Sequence, residues 1–199
     1  MTASLADHRP PHRGGAVRGE VPHGPVAPLP VAAPLRLVPQ PEGLLQIHTA
    51  PFRGSFGAVF SQALRCAGLG SRVLVCQLLK GGVAQGPGAG LRLCGRLEWL
   101  RPDTPLCIDG PAVEQEPVTR AAIGAVWAAG REQLLDGRVD QVVFDELGLA
   151  IALGYLPANE VTDTLKRRPA HVDVILTGPS MPAELMAMAD QVTQLRRGL

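Results

Sequence analysis

The sequence predicts an α/β fold with three layers, built around a mostly parallel central sheet of about six strands. After Gly43, short apolar runs of strand length alternate with stretches of helical periodicity, which is the pattern of βαβ units. A length of 199 residues with 46% hydrophobic residues is enough for one globular core. Residues 1–41 differ, because they hold nine of the 19 prolines and few large apolar residues. We therefore predict a disordered Pro-rich arm at 1–41 and a single domain at 42–199.

The strands are predicted from short runs that are mostly rich in Val, Leu or Ile and are bounded by turn residues. They are residues 44–49, 72–77, 97–100, 141–145, 173–177 and 191–195. The intervals between them leave room for crossover helices.

Helices are predicted from apolar spacing and from stop signals. The first spans residues 55–66 and ends before Gly68 and Gly70, and the second starts near Pro117 and stops at Gly137. Trp127 falls on the apolar side of this second helix, so we expect it in the core. Further helices are predicted at 158–168 and from Pro182 onward, and the glycine-rich residues 81–90 are predicted to be a flexible loop.

Composition limits the class of function. A net charge of +1 gives no electrostatic argument for binding nucleic acid or an anionic membrane. The cysteines form no C-x-x-C pair, and no apolar run reaches the length of a membrane helix, so we expect a soluble cytoplasmic protein with reduced thiols. The prolines of the arm favour extended segments that a protein partner could bind, although a plain linker has the same composition.

The segment between the first strand and the first helix stands where a phosphate-binding loop would be. A phosphate-binding loop needs glycines for converging N–H groups, followed by a lysine for the phosphates and a hydroxyl for Mg²⁺. Here Ala50 takes the first glycine position, Gly54 is kept, Ser55 replaces the lysine and Phe56 replaces the hydroxyl.

Polar residues follow three predicted strands, at 49–55, at 77–81 and at Asp145 with Glu146. In a parallel sheet these positions meet at the carboxyl edge, where ligands bind. Residues 141–146 read as a Walker B strand, whose carboxylates hold Mg²⁺ and orient a reacting group. Carboxylates at the start of a solvated helix would give the same local pattern.

The chain as a whole resembles the ATP:corrinoid adenosyltransferases. The resemblance rests on several blocks in order, at residues 43–49, 63–68, 75–81, 143–147 with 154–156, 165–169, 176–178 and 189–193. It implies a P-loop NTPase-like fold that transfers a 5′-deoxyadenosyl group from ATP to cob(I)alamin or cobyrinic acid diamide.

The resemblance also implies roles for particular residues. Glu146 would be catalytic, and Asp145 and Glu146 would hold Mg²⁺. The residues expected to bind nucleotide phosphates are Thr49, Ala50, Arg53, Gly54, Ser55 and Gly57 of the loop, with Gln77 and Lys80 on the neighbouring strand end. Cap and loop polarity would equally account for Gln77 and Lys80.

This chain departs from the family where chemistry would occur. Family loops read G-D-G-K-G-K-T-T, whereas residues 50–57 read A-P-F-R-G-S-F-G. Both lysines are absent, and the chain contains only Lys80 and Lys166. The family's Asn after the Asp-Glu-Leu block is Gly148, and its Arg after Leu-Thr-Gly is Pro179.

Two classes of function follow. The first is a divergent adenosyltransferase that binds ATP and a corrinoid weakly or is inactive. The second is a catalytically silent relative that senses a ligand or contacts proteins, as a homodimer or through the arm. Losing several phosphate donors together predicts weak MgATP binding in either class.

Overall fold

The computed structural model describes residues 42–54, 56–82 and 86–196, apart from the side chain of Leu106. The predicted disordered arm at 1–41 and the predicted phosphate ligand Ser55 lie outside these residues. Within the described ranges, none of the helices has both the length and the apolar character needed to cross a bilayer.

The central sheet has seven strands, which are β1 (Leu45–Thr49), β2 (Val73–Gln77), β4 (Leu91–Leu93), β5 (Leu97–Leu100), β7 (Gln141–Asp145), β8 (Asp173–Thr177) and β9 (Gln191–Gln194). Their order across the sheet is β4-β5-β2-β7-β8-β1-β9. All neighbouring pairs are parallel except the antiparallel pair of β4 and β5. The mostly parallel α/β prediction is confirmed, and β4 is the strand of this sheet that the sequence reading missed.

A second, two-stranded antiparallel sheet pairs β3 (Lys80–Gly82) with β6 (Thr104–Cys107). The prediction of a loop over residues 81–90 is therefore wrong for Gly81 and Gly82. Glycines weaken a strand in isolation, but here the backbone groups of β3 gain partners from β6, which lies far away in sequence.

The helices are α1 (Gly57–Gly68), α2 (Pro117–Leu135), α3 (Leu147–Ala152), α4 (Ala158–Lys166) and α5 (Ala183–Met188). The predicted start of α1 at residue 55 is too early, and Phe56 takes the N-cap position without a side-chain cap. Gly137 follows the end of α2 with a φ of 63°, which is the left-handed stop that the sequence predicts. The short helix α3 was not predicted.

The helices cover the sheet unequally. One face packs on α1 through Val59, Ala63 and Ala67, and the other face packs on α2, α3, α4 and α5. Trp127 is buried in the larger core as predicted, and its Nε1 donates to Glu160 Oε1 at 2.9 Å. The three predicted layers are thus present, with the predicted phosphate loop on the side of α1.

Candidate functional site

Polar side chains form a continuous hydrogen-bonded row across the carboxyl edge of the sheet. Trp99 Nε1 and Arg101 Nε donate to Gln77 Oε1 at 3.0 and 2.7 Å, and Gln77 Nε2 donates to Asp145 Oδ2 at 2.8 Å. Thr177 Oγ1 donates to Asp145 Oδ1 at 2.6 Å. Gln77 and Asp145 are register partners on adjacent parallel strands, so their side chains leave the same face of the sheet. The predicted convergence of strand-end residues is present in the structure.

Asp145 lies at the centre of this row and is fully buried. Besides Gln77 and Thr177, Lys80 donates to it, with Nζ 3.1 Å from Oδ2. Lys80 is positioned by the pairing of β3 with β6, because that small sheet brings its backbone beside the end of β2. A buried carboxylate needs such partners, since an unpaired charge in the interior is costly. The charge of the Asp145 carboxylate is therefore balanced by Lys80 of the same protein.

Glu146 follows directly in an unusual backbone conformation, with φ 61° and ψ 26°. Its N–H donates to Thr177 Oγ1 at 3.1 Å, and Gly178 packs against it so closely that a Cβ on Gly178 would lie 3.0 Å from Glu146 Cα. Left-handed conformations of non-glycine residues cost about 1–3 kcal/mol and are concentrated at functional sites. The strand end therefore holds Glu146 in one fixed orientation.

Arg53 of the loop binds the Glu146 carboxylate in a bidentate manner. Its Nε lies 2.6 Å from Oε1 and its Nη2 lies 2.9 Å from Oε2. Nη2 also donates to Cys107 Sγ at 3.6 Å. The hydrogen bonds to Glu146 raise the pKa of the Arg53 guanidinium above its ordinary value, so the arginine is charged at any physiological pH. The loop's own cation is thus bound to the carboxylate opposite it.

The remaining loop residues are mainly structural. Thr49 Oγ1 donates to the Gly178 carbonyl at 2.9 Å, and Ala50 and Phe56 are buried against α1. In the described part of the loop, residues 50–54, every residue has a negative φ, and this holds for Gly54 too. A phosphate nest of converging N–H groups uses alternating right- and left-handed residues. The described loop therefore lacks that alternation, while Gly57 still begins the helix.

Comparison with known proteins gives the family. A family model described as ATP:corrinoid adenosyltransferase BtuR/CobO/CobP matches residues 41–198. The chain belongs to the ATP:corrinoid adenosyltransferase family. Corrinoid adenosyltransferase CobA of Salmonella typhimurium is 34% identical over 154 residues, which cover 77% of this chain and 76% of that protein. The Escherichia coli K12 corrinoid adenosyltransferase is 32% identical with the same coverage, and that of Pseudomonas aeruginosa is 29% identical over 157 residues.

Two departures from the adenosyltransferase pattern, Gly148 and Pro179, lie in contact. A Cβ on Gly148 would lie 2.5 Å from the Pro179 carbonyl oxygen and 3.0 Å from the backbone of Met181. The segment after β8 therefore packs directly on α3, with Ser180 at φ 57°. In the sequence, Gly148 and Pro179 are 31 positions apart, and nothing there indicates that they are related. The structure brings them together in one packing contact over α3.

The donor set does not fit the Mg²⁺ implied by adenosyltransferase membership. Both oxygens of Glu146 accept from Arg53, and both oxygens of Asp145 accept from neighbouring side chains. Phe56, at the position where the sequence predicts the Mg²⁺-binding hydroxyl of a phosphate loop, is buried. Across the described ranges, no group of three or more His, Cys, Asp or Glu side chains is arranged to hold a metal ion. The assignment of Asp145 and Glu146 as metal ligands stays a prediction.

The sequence reading missed several members of the site. Thr177 Oγ1 donates to the Asp145 carboxylate and accepts from the backbone N–H of Glu146. Arg101 ends the polar row, and Cys107 contacts Arg53. His48 lies beside Thr177 in register, and its Nε2 is buried with no hydrogen-bond partner in the described part of the chain. Burial lowers the pKa of His48 below its ordinary value. A polar residue near the end of each buried strand was the signal that could have found Thr177 and His48.

Proposed function

We propose that this chain is an attenuated corrinoid adenosyltransferase. It would transfer the 5′-deoxyadenosyl group of ATP to a cob(I)alamin-type corrinoid, far more slowly than a relative with an intact phosphate loop. In that reaction the reduced cobalt attacks the ribose C5′, a cobalt–carbon bond forms, and the C5′–O bond breaks as triphosphate leaves. The Arg53–Glu146 pair is the observation that carries the attenuation.

The attenuation has an electrostatic cause. A triphosphate needs positive charge and converging donors at the loop, and these act mostly by stabilising charge on the leaving group. Arg53 is the cation in the described part of the loop, and its Nε and Nη2 already donate to the Glu146 carboxylate. To serve ATP, Arg53 must leave a carboxylate that is 1% exposed, and leaving a buried charge unpaired is costly. Weak MgATP binding follows, with Glu146 unable to act on substrate while it is paired.

Lys80 does not replace the lost loop lysines. Its Nζ donates to Asp145, which also accepts from Gln77 and Thr177. A lysine used in this way neutralises the strand end and does not add charge to the loop.

The free cysteines fit a reducing compartment, so we propose that the protein acts in the cytoplasm.

An anaerobic adenosylation assay tests the proposal. The full chain and the Escherichia coli relative receive chemically reduced cobalamin and MgATP, and the adenosylated product is followed by its light-sensitive cobalt–carbon spectrum. We expect a rate at least about a hundredfold below that of the relative, because single donors of this kind are worth that much. Product formation at the rate of the relative would refute the attenuation.

A loop graft provides the matched variant. Replacing residues 50–57 by G-D-G-K-G-K-T-T returns the nest and both lysines and removes Arg53, so we expect tighter MgATP binding in calorimetry and a faster reaction. Adding Glu146→Gln to the graft tests whether the freed carboxylate takes part. Far-UV circular dichroism and cooperative unfolding confirm that each variant is folded.

The second candidate function is a catalytically silent module for ligand sensing or protein contact. The saturated hydrogen bonding of Asp145 favours it, because this carboxylate is built into the fold as a structural group. In this case neither the wild type nor the folded graft forms product. A homodimer would appear in light scattering, and a protein partner for residues 1–41 would be captured by the full chain and lost on deleting those residues.

A further inference from the structure

A concave site at the amino edge of the sheet carries positive charge that nothing in the adenosyltransferase reaction uses. It has a volume of about 460 Å³ and lies where β2 and β5 begin, beside the end of α2. Its polar lining comprises Arg72, Arg92, Arg96, Arg138, Glu98 and Gln133. We call this the arginine groove. Strand β2 runs from Val73 here to Gln77 at the polar row, so the two sites lie at opposite ends of one strand.

The arginines fall into two pairs, and only the first pair has acidic partners among the described residues. Arg72 donates to Asp140, with Nη2 2.6 Å from Oδ1, and Arg138 donates to Glu132 and Asp136. None of these acids lines the groove. The acids therefore position the two guanidinium groups from outside the cavity and leave its interior without their negative charge.

Arg92 and Arg96 form the second pair. Neither side chain makes a hydrogen bond or an ion pair with any residue that the structure describes. Arg92 lies opposite Glu98 across the β4–β5 ladder, but Glu98 Oε2 instead accepts from Gln133 Nε2 at 3.3 Å. The lining of the cavity thus offers two exposed charged donors and contains one carboxylate, that of Glu98.

The floor of the groove is apolar. Val73, Leu97 and Val139 line it, and all of them are buried. A cavity of this size with an apolar floor and a few charged groups suits a small molecule. The guanidinium fork matches a phosphate group in geometry and charge. The near-neutral charge of the whole chain argues against an extended polyanion such as nucleic acid.

We propose that the arginine groove binds a small phosphate monoester, with Arg92 and Arg96 on the phosphate and an uncharged ring of the ligand over the apolar floor. A mononucleotide belongs to this class. The site is independent of the proposed adenosyltransferase activity, since none of its lining residues belongs to the polar row or to the loop.

Titration calorimetry with AMP on the full chain, in EDTA, tests the proposal. We expect saturable binding at about millimolar concentration or tighter, weaker binding of inorganic phosphate, and no binding of adenosine. The Arg92→Ala/Arg96→Ala variant should lose at least about tenfold in affinity for AMP. The matched variant Lys166→Ala/Arg167→Ala removes the same charge from the exposed end of α4 and should bind as the wild type does.

Amide chemical shifts separate this site from the carboxyl edge. Addition of AMP should move the resonances of Leu97 and Val139, and this change should persist in an Arg53→Ala variant. The proposal is overturned if AMP does not bind, if adenosine binds as tightly as AMP, or if the groove variant binds as the wild type does. Shifts confined to Gly54 and Glu146 would equally refute it, since they would assign the nucleotide to the carboxyl edge.

Discussion

The two ends of the central sheet carry similar charged side chains and arrange them in opposite ways. At the carboxyl edge, Arg53 and Lys80 donate to Glu146 and Asp145, so that the positive and negative groups neutralise each other within the site. At the amino edge, Arg72 and Arg138 are held by acids that lie outside the arginine groove. Whether an arginine is available to an anion therefore depends on its partners and not on the residue type, and Arg92 and Arg96 of the arginine groove have no side-chain partner among the described residues.

The two edges also differ in burial. The carboxylates at the carboxyl edge are 1% and 0% exposed, whereas the acids that hold Arg72 and Arg138 are 40% to 65% exposed. Exposed ion pairs contribute about 0–1 kcal/mol, and breaking a buried pair costs several times more. The carboxyl edge should therefore be a structural element of the fold, and the amino edge should tolerate substitution.

The largest expected effect tests this difference directly. Arg53→Ala leaves the buried Glu146 carboxylate without its bidentate partner, so we expect a loss of about 2–4 kcal/mol in the free energy of unfolding. Urea denaturation followed by circular dichroism measures it. The matched variant Arg138→Ala, at the exposed amino edge, should lose about 0–1 kcal/mol.

A second substitution separates the charge from the missing contact. Arg53→Ala/Glu146→Gln removes both partners, and most of the lost stability should return because no buried charge is left unpaired. Equal losses for Arg53→Ala and Arg138→Ala would show that the two edges do not differ in this way.

A smaller effect is expected from the contact that closes the carboxyl edge over α3. Gly148→Ala places a Cβ 2.5 Å from the Pro179 carbonyl oxygen, so the backbone must shift and we expect a loss of about 1–3 kcal/mol. Gly124→Ala is the matched control, because a Cβ there meets nothing within 4 Å and alanine favours the helix by about 0.5–1 kcal/mol. Thermal unfolding of both variants measures the difference. A change in stability of the same sign in both variants would contradict the expected effect of the Gly148–Pro179 contact.

The smallest expected effect concerns His48, the register partner of Thr177 on the neighbouring strand. Burial lowers its pKa in the folded state, so the unfolded chain binds the proton more readily. Stability is complete above the unfolded pKa of about 6.5 and falls as the pH drops through and below it, by at most about 1.4 kcal/mol per pH unit. Urea unfolding from pH 7.5 to 5 should show a shallower decline in His48→Gln than in the wild type. If stability declined with pH equally steeply in His48→Gln and in the wild type, His48 would not be the source of the decline.

Much of the fold follows from the sequence because its strands are buried on both faces. Residues 142–144 and 174–176 are continuous apolar runs, each closed by a polar residue, and this pattern predicts both the strand and the edge at which it ends. Strand β4 and the pair β3–β6 escaped prediction, because their residues are exposed or rich in glycine and gain order only from partners distant in sequence.

The candidate site was predictable in part. Asp145, Glu146, Gln77 and Lys80 were expected near one another, since parallel strands bring their carboxyl ends together. The sequence could not reveal that Arg53 would bind Glu146. Two charged residues 93 positions apart have no local signature of pairing, and the contact depends on where the loop and the strand end come to lie.

The sequence by itself determined the layered α/β architecture, the membership in the adenosyltransferase family and the absence of lysine from residues 50–57. These properties follow from hydrophobic periodicity and from residue identity, which are local quantities. Only the tertiary structure decided which charges neutralise each other, because Coulomb energies and desolvation depend on distance and burial. For that reason Arg53 faces a buried carboxylate, while Arg92 and Arg96 face an open groove.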